Sequence, residues 1–325
     1  MQSTGDSRQR IEDRRVESLR TRLAGALFAL VLLVALLVPV FSSNISLAFY
    51  MLLWITLASG LNIAAGFTGY LPFGYVAFYG IGAYTTGVLY KVFGLPIGLA
   101  LLAAGAAGVL LSLLFAPTLR LKGVYFGIVS LALAAILRLV IASLPDSLAG
   151  GSIGIILSSA NDPVASYYAM WAVAALTLGT VLWLSASRLG KALKAIRDDA
   201  EAAAVIGIRV ATTRLRAWML AALFPALAGG VEAWYTNVVD PEAAFSVLIT
   251  AKSIVYAMAG GLGTVIGPVV GTGVLLGIDH LIWQRFPLVN LLLLGLVIVL
   301  LMLFLPRGIV GSLVKRNPRL RRYIA

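Results

Sequence analysis

Apolar runs follow one another from Leu23 almost to the C-terminus, broken only by short polar or glycine-rich stretches. Each is close to the ~20 residues a helix needs to cross a hydrocarbon core. The short alternating strands of a membrane barrel are absent. The pattern predicts spans at 23–41, 45–65, 72–91, 95–119, 123–144 and 167–185, then at 216–237. Residues 247–283 are apolar except for the break GGLGTVIGP, which predicts two short crossings, and a last span is expected at 287–305. The expected fold is all-α and polytopic, with about ten transmembrane helices and eight as the alternative count.

One segment stands out against this pattern. Residues 187–210, SRLGKALKAIRDDAEAAAVIGIRV, form a long charged interruption past the midpoint of a chain that is 61% hydrophobic and only 12% charged. Most of the 25 Lys and Arg residues lie in three blocks, Arg8 to Arg22, Arg188 to Arg216 and Arg307 to Arg322. Each block flanks an apolar span, as the positive-inside rule requires of cytoplasmic segments. Placing all three on one side demands an even number of crossings between them, and six followed by four satisfies it. Both termini are then cytoplasmic, as is the turn Arg120-Leu121-Lys122, while Asp146 and Asp162 fall outside in the 145–166 loop. The chain divides into a basic cytoplasmic segment 1–22, a transmembrane domain 23–310 containing the cytoplasmic segment 186–215, and a basic tail 311–325.

The net charge of +12 sits beside the spans, so anionic lipid headgroups are its expected partners and nucleic acid is not. The chain has no cysteine and one histidine, His280, which excludes thiolate and histidine-cluster metal sites. Gly190-Lys191 lacks the flanking residues of a phosphate-binding loop, and HExxH and GxSxG are missing. No catalytic residue, cofactor or metal is expected, and any ATP-driven work must be done by another chain.

Candidate chemistry concentrates in two places. The segment LNIAAGFTGYLPFGYVAFYGIGAYTTGVL, residues 61–89, sets Asn62, Gly66, Thr68, Gly69, Gly74, Tyr75 and Tyr79 around Pro72. Such a composition suits either close helix packing or a broken helix lining a wet pathway. Broken or re-entrant helices are expected near Gly66 and Gly261, and AGFTGYLPFG at 65–74 and AGGLGTVIGP at 259–268 share an AGxxG spacing that suggests an internal repeat, with glycine-rich helix-packing turns as the alternative. The second place is a set of intramembrane charges, Arg138, Glu232 and Lys252, each expected a short way below the outer surface. The expectation is a Glu232–Lys252 pair with Arg138 at the entrance; independent snorkelling of the long side chains is the alternative.

In the charged segment, Leu189, Leu193 and Ile196 recur at i, i+4 and i+7, with Lys191, Lys194, Arg197 and Asp198 on other faces. Glu201-Ala202-Ala203 then precedes Gly207, a helix former followed by a glycine stop. By physics alone this helix rests on lipid or on other cytoplasmic elements.

The EAA-x(3)-G spacing resembles the cytoplasmic motif of ATP-binding-cassette importer permeases, although the later I-x-L-P part is not matched. The longer string SRLGKALKAIRDDAEAAAVIGI resembles the branched-chain amino acid permeases of the M type, as do GYVAFYGIGAY (74–84), LKGVYFGIVSLALAAILRLV (121–140), GGLGTVIGPVVG (260–271) and PRGIVGSL (306–313). The resemblance implies a multi-pass subunit of the bacterial inner membrane. Its implied partners are a paralogous H-type permease, two ATPase subunits that use ATP and Mg, and an extracytoplasmic binding protein. It implies ATPase coupling through Lys194, Arg197, Asp198, Glu201, Ala202 and Gly207, and reception of the binding protein by loops 145–166 and 238–246. The chain departs from the family at Tyr75, where a histidine is expected, and at Ile153, where an aspartate is. Near Lys252 an acidic residue is usual, and near Glu232 an aromatic one. The implied substrate is a branched-chain or related amino acid, with urea or a short amide as the alternative. Outside the family, an ion-coupled secondary transporter remains the competing class and a membrane enzyme the weakest.

Overall fold

The computed structural model describes residues 24–41, 45–121, 123–151, 153–157, 162–285 and 308–316, with isolated helical positions at 295, 296, 299 and 303. The predicted 287–305 span therefore lies mostly outside the described residues, as do the basic ends 1–22 and 317–325. Among the described residues seven helices are long and apolar enough to cross a membrane.

Ala24–Phe41 (α1) is exposed over most of its surface. Ser46–Thr68 (α2) is buried nearly all round from Leu52 onward. Val76–Lys91 (α3) is a 16-residue helix, shorter than the expected 72–91 span, because residues 69–75 are not helical. Ile97–Leu114 (α4) ends in a 3-10 turn over Ala116–Arg120, and Val124–Ala142 (α5) follows. The 145–166 loop carries the single turn Asp146–Ala149 (α6) and the short strand Ile155–Ile156 (β1). Pro163–Ala186 (α7) leads into the charged segment, which is Arg188–Asp198 (α8) and Ala200–Val205 (α9). Val210–Thr236 (α10) starts six residues before its predicted span. Beyond it come Val238–Val239 (β2), Pro241–Ala244 (α11), Val247–Gly260 (α12), Gly267–Arg285 (α13) and Gly308–Arg316 (α14).

The centre is built from α2, α3, α4 and α10, with α7 on the outer side of α2 and the α12–α13 hairpin against its other side. A helix that is apolar all round belongs inside a bundle, and α2 and α10 are such helices. In α2 the buried hydroxyls of Thr56 and Thr68 turn back on their own helix, to the Leu52 and Ala64 carbonyls at 2.8 and 2.6 Å. Without a hydrophobic drive between helices in lipid, contact depends on small residues that let backbones approach. Gly82 of α3 faces the Ala226 backbone of α10 so closely that a Cβ would collide with the Ala226 carbonyl, and Gly229 of α10 faces the Tyr79 carbonyl in the same way.

The two ends of the bundle are distinct. At one end β1 pairs antiparallel with β2, Ile155 opposite Val239 and Ile156 opposite Val238, so the predicted outer loops form one ribbon. At the other end the two glycine breaks and α8 meet. The 27 residues of α10 separate these ends by roughly 40 Å at ~1.5 Å per residue.

Gly82→Val is expected to force α3 from α10 and lower stability by about 3 kcal/mol, read as a fall in melting temperature of the detergent-solubilised protein. Gly98→Ala, which meets nothing within 4 Å, is the control and should leave the transition in place.

Candidate functional site

The last turn of a helix leaves carbonyls without intrahelical donors. In α2, Gly69 takes the left-handed conformation at φ 78° and its N–H bonds the Ala65 carbonyl at 3.1 Å. The helix thus runs through Gly66 to Thr68, and the break expected near Gly66 falls at residues 69–75. The Gly66 carbonyl is left over, and Arg197 of α8 donates to it from Nη1 at 2.7 Å. A cation at a helix C-terminus also meets the negative end of the helix dipole.

The second glycine break supplies the other half of the arrangement. α12 ends at Gly260, and residues 261–266 turn the chain with Gly261 and Gly263 at positive φ before α13 begins. The Gly263 N–H donates to Asn62 Oδ1 at 2.8 Å, and Asn62 Nδ2 donates to the Thr264 carbonyl at 2.9 Å. Asn62 is fully buried and both ends of its amide are used, so it clasps the α12–α13 turn to α2. Gly66 must be glycine here, since a Cβ would lie 2.6 Å from the Gly263 nitrogen. The two AGxxG stretches therefore end two helices and touch each other, and Arg197 lies against both. Gly308, at the start of α14, packs on the same turn, with the Gly261 nitrogen 2.6 Å from where its Cβ would be. This gives Gly308 of the PRGIVGSL stretch a place in the cluster.

α8 reaches this cluster by burying Leu193 and Ile196, with Leu189 partly covered, against α2, α7 and α10. It lies on protein, which decides between the two expectations for this helix. Ser187 caps it by accepting from the Gly190 N–H at 3.0 Å, and Asp199 caps α9 by accepting from Glu201 and Ala202 at 2.9 and 3.0 Å. Gly207 stops α9 as expected, at φ 88°, with its N–H on the Ala204 carbonyl and that of Ile208 on the Ala203 carbonyl, both at 3.0 Å.

The six residues named for coupling fall into two groups. Arg197 faces the body of the molecule, as does Lys194, whose ammonium lies 5.6 Å from the Phe67 ring. Glu201, Ala202 and Gly207 are exposed, and so is Asp198, 3.4 Å from the Arg197 guanidinium. Sequence reasoning missed Val205 and Ile206, which are 88% and 74% exposed beside Gly207. The apolar pair after a charged helix was their signal.

The remaining site residues are not gathered in one place. Thr68 bonds back to the Ala64 carbonyl, and Gly74 packs on the Ser130 backbone while its N–H meets Ser130 Oγ at 3.1 Å. Tyr75 is fully buried with its hydroxyl donating to the Leu57 carbonyl at 3.3 Å, so this departure from the family sits in packing. Arg138 is exposed on α5, apart from the other charges. The Glu232–Lys252 pair is not formed. Lys252 lies 3.5 Å from Asp279 of α13 and 5.7 Å from the Trp54 ring, because α12 packs on α2 and α13 and turns Lys252 away from α10. Asp279 was missed because residues 247–283 read as an apolar stretch. Its signal was an opposite charge across the glycine turn. Tyr79 and Glu232 share a cavity of about 290 Å³ beneath the β1–β2 ribbon.

A polytopic helical bundle with a charged segment docked on paired glycine turns and an apolar pair left exposed beside it has the build of a membrane permease body. The chain belongs to the family described as branched-chain amino acid transport system / permease component, whose model matches residues 43–304. Similar proteins include the high-affinity branched-chain amino acid transport system permease protein LivM of Salmonella typhimurium, 29% identical over 315 residues covering 86% of this chain and 73% of that protein. LivM of Escherichia coli strain K12 matches with the same identity and coverage. LivH of the same strain is 27% identical over 149 residues, 44% of this chain and 46% of LivH, which bears out the M-type resemblance. No solved structure is a significant match to the chain.

Lys252→Met is expected to strand Asp279 and lower stability by about 3 kcal/mol, and adding Asp279→Leu should restore most of the loss. Thermal melts of the two single variants and the double variant measure this coupling. Simple additivity would show that the pair contributes nothing.

Proposed function

We propose that this chain is one permease subunit of an ATP-binding-cassette importer that moves branched-chain or related amino acids across the bacterial inner membrane. Its partners in this reading are an H-type permease, two ATPase subunits and an extracytoplasmic binding protein. ATP and Mg belong to the ATPases, and this chain contributes the path and the contact that drives it.

One observation carries the reading. The α8–α9 segment is anchored inward through Arg197 and presents Val205, Ile206 and Glu201 outward. An apolar pair with an adjacent charge on a short rigid helix suits insertion into a groove of a partner. When the ATPase dimer closes, it moves α9. That displacement is passed by Arg197 to the end of α2 and, through Asn62, to the α12–α13 turn. At the far end, the β1–β2 ribbon with exposed Ile153, Ile156 and Val238 offers a platform for the binding protein.

Reconstituting the four kinds of subunit in liposomes tests this. Uptake of leucine or valine is expected to require ATP and the binding protein. Ile206→Asp should abolish uptake by preventing engagement. Arg197→Met should lower uptake at least about tenfold while ATP hydrolysis continues, since the contact remains and the transmission is cut. Uptake by this chain alone on an ion gradient would instead establish a secondary transporter. Calorimetry of the binding protein against leucine, valine, other amino acids and urea decides the substrate.

A further inference from the structure

Among the charges set within the described helices, Lys252 and Asp279 neutralise each other and Arg138 stands on the exposed face of α5. Glu232 differs from these. It is half-buried on α10, it lines the cavity beneath the ribbon, and its carboxylate has no hydrogen bond or ion pair among the described residues. A carboxylate held away from bulk water without a partner is costly, so such a group marks a place where a partner arrives.

The cavity defines that partner. Its walls include Tyr79, Gly229, Glu232, Thr236, Asp240 and Ile249 and, among the described residues, no Lys, Arg or His. Asp240 already spends Oδ1 on the Ala243 N–H at 2.8 Å, which holds the short α11 as a roof. The volume of about 290 Å³ lies at the lower end of small-molecule sites, roughly 300–1,000 Å³. That suits a single amino acid. Negative charge without a positive side chain in this wall attracts an ammonium group and repels a carboxylate, so a zwitterionic amino acid would enter ammonium first with its carboxylate turned to the open side. Apolar walls at Ala83, Ala244 and Ile249 suit an aliphatic side chain, whereas Ca²⁺ or Mg²⁺ needs six or so oxygen ligands.

We propose that this cavity is a way-station for the amino acid, with Glu232 receiving its ammonium group as it leaves the outer face. This rests on the importer reading and names the residue that reads the substrate's charge. Glu232 lies 22 residues along α10 from Val210, roughly 33 Å from the α9 contact at ~1.5 Å per residue. It therefore acts at the entrance and takes no part in ATPase engagement.

The chain has no native cysteine, so Thr236→Cys places one thiol in the cavity wall, a helical turn from Glu232. In membranes, the cationic reagent 2-aminoethyl methanethiosulfonate should label it at least about tenfold faster than the anionic 2-sulfonatoethyl reagent, relative to their rates with a free thiol. Leucine should slow labelling, while 4-methylpentanoate, the same skeleton without the ammonium group, should not. Adding Glu232→Gln should bring the two reagents towards parity and remove the leucine protection, and Glu232→Asp should keep both. Equal rates in the Thr236→Cys parent, no labelling by either reagent, equal protection by 4-methylpentanoate, or leucine protection surviving Glu232→Gln would each overturn the proposal. The assay needs no ATP, so its failure and a failure of ATP-driven uptake are read separately.

Discussion

The last turn of α2 leaves the Gly66 carbonyl without a donor from its own helix, and Arg197 supplies one from 131 residues further along the chain. Backbone polar groups at membrane depth must be satisfied by protein, so a broken helix is stable only where another element completes it. The breaks at 69–75 and 261–266 are completed by each other and by α8. Asn62 takes one N–H and one carbonyl from the second break, and Arg197 takes a carbonyl from the first. Because Asn62 and Gly66 lie one turn apart on the same helix, loss of either contact loosens the seat of the other. The charged segment is therefore a structural component of this end of the bundle, whatever else it contacts.

The charges deeper in the bundle follow from neighbour relations between helices. Lys252 and Asp279 flank one hairpin, so the short connection at 261–266 brings α12 and α13 together before any other pairing is available. The hairpin also packs through glycines, since a Cβ on Gly271 would lie 2.5 Å from the Gly260 nitrogen. With Lys252 beside Asp279, no Lys, Arg or His among the described residues lines the cavity that Glu232 shares with Asp240. A local pairing on one helix pair thus decides the electrostatics of a site on another.

Elements governed by periodicity were legible in the sequence. The long apolar runs became α1, α2, α4, α5, α7 and α10, and Leu193 and Ile196 bury, with Leu189 partly covered, as their spacing implied. The glycine stop at Gly207 and the AGxxG pair also read correctly, because a left-handed residue at a helix end is a local requirement. What was not legible depended on which helices touch. Depth arguments placed Glu232 and Lys252 at similar levels but carried no information about azimuth, and azimuth separates them. Helix ends shifted for a related reason. α2 continues past Gly66 because the close approach of Gly263 needs the helical backbone there, and glycine content alone does not distinguish a packing site from a break.

The two ends are joined by one helix. α9 leads through Gly207 and Ile208 into α10, and α10 carries Glu232 in its last turns before passing directly into β2 of the outer ribbon. Its contacts with α3 are made by backbone at Gly82 and Gly229, which resist sliding because no flexible side chain lies between. Pro225 sits near the middle of α10 and removes one N–H from its ladder, so bending there costs less than elsewhere along the helix. A displacement imposed on α9 has two outlets, the Arg197 link to α2 and the inner half of α10. The second reaches the Glu232 cavity only after passing Pro225. Pro225 thus divides α10 into an inner half joined to α9 and an outer half that carries Glu232, and the two halves are not bound to move as one rigid rod.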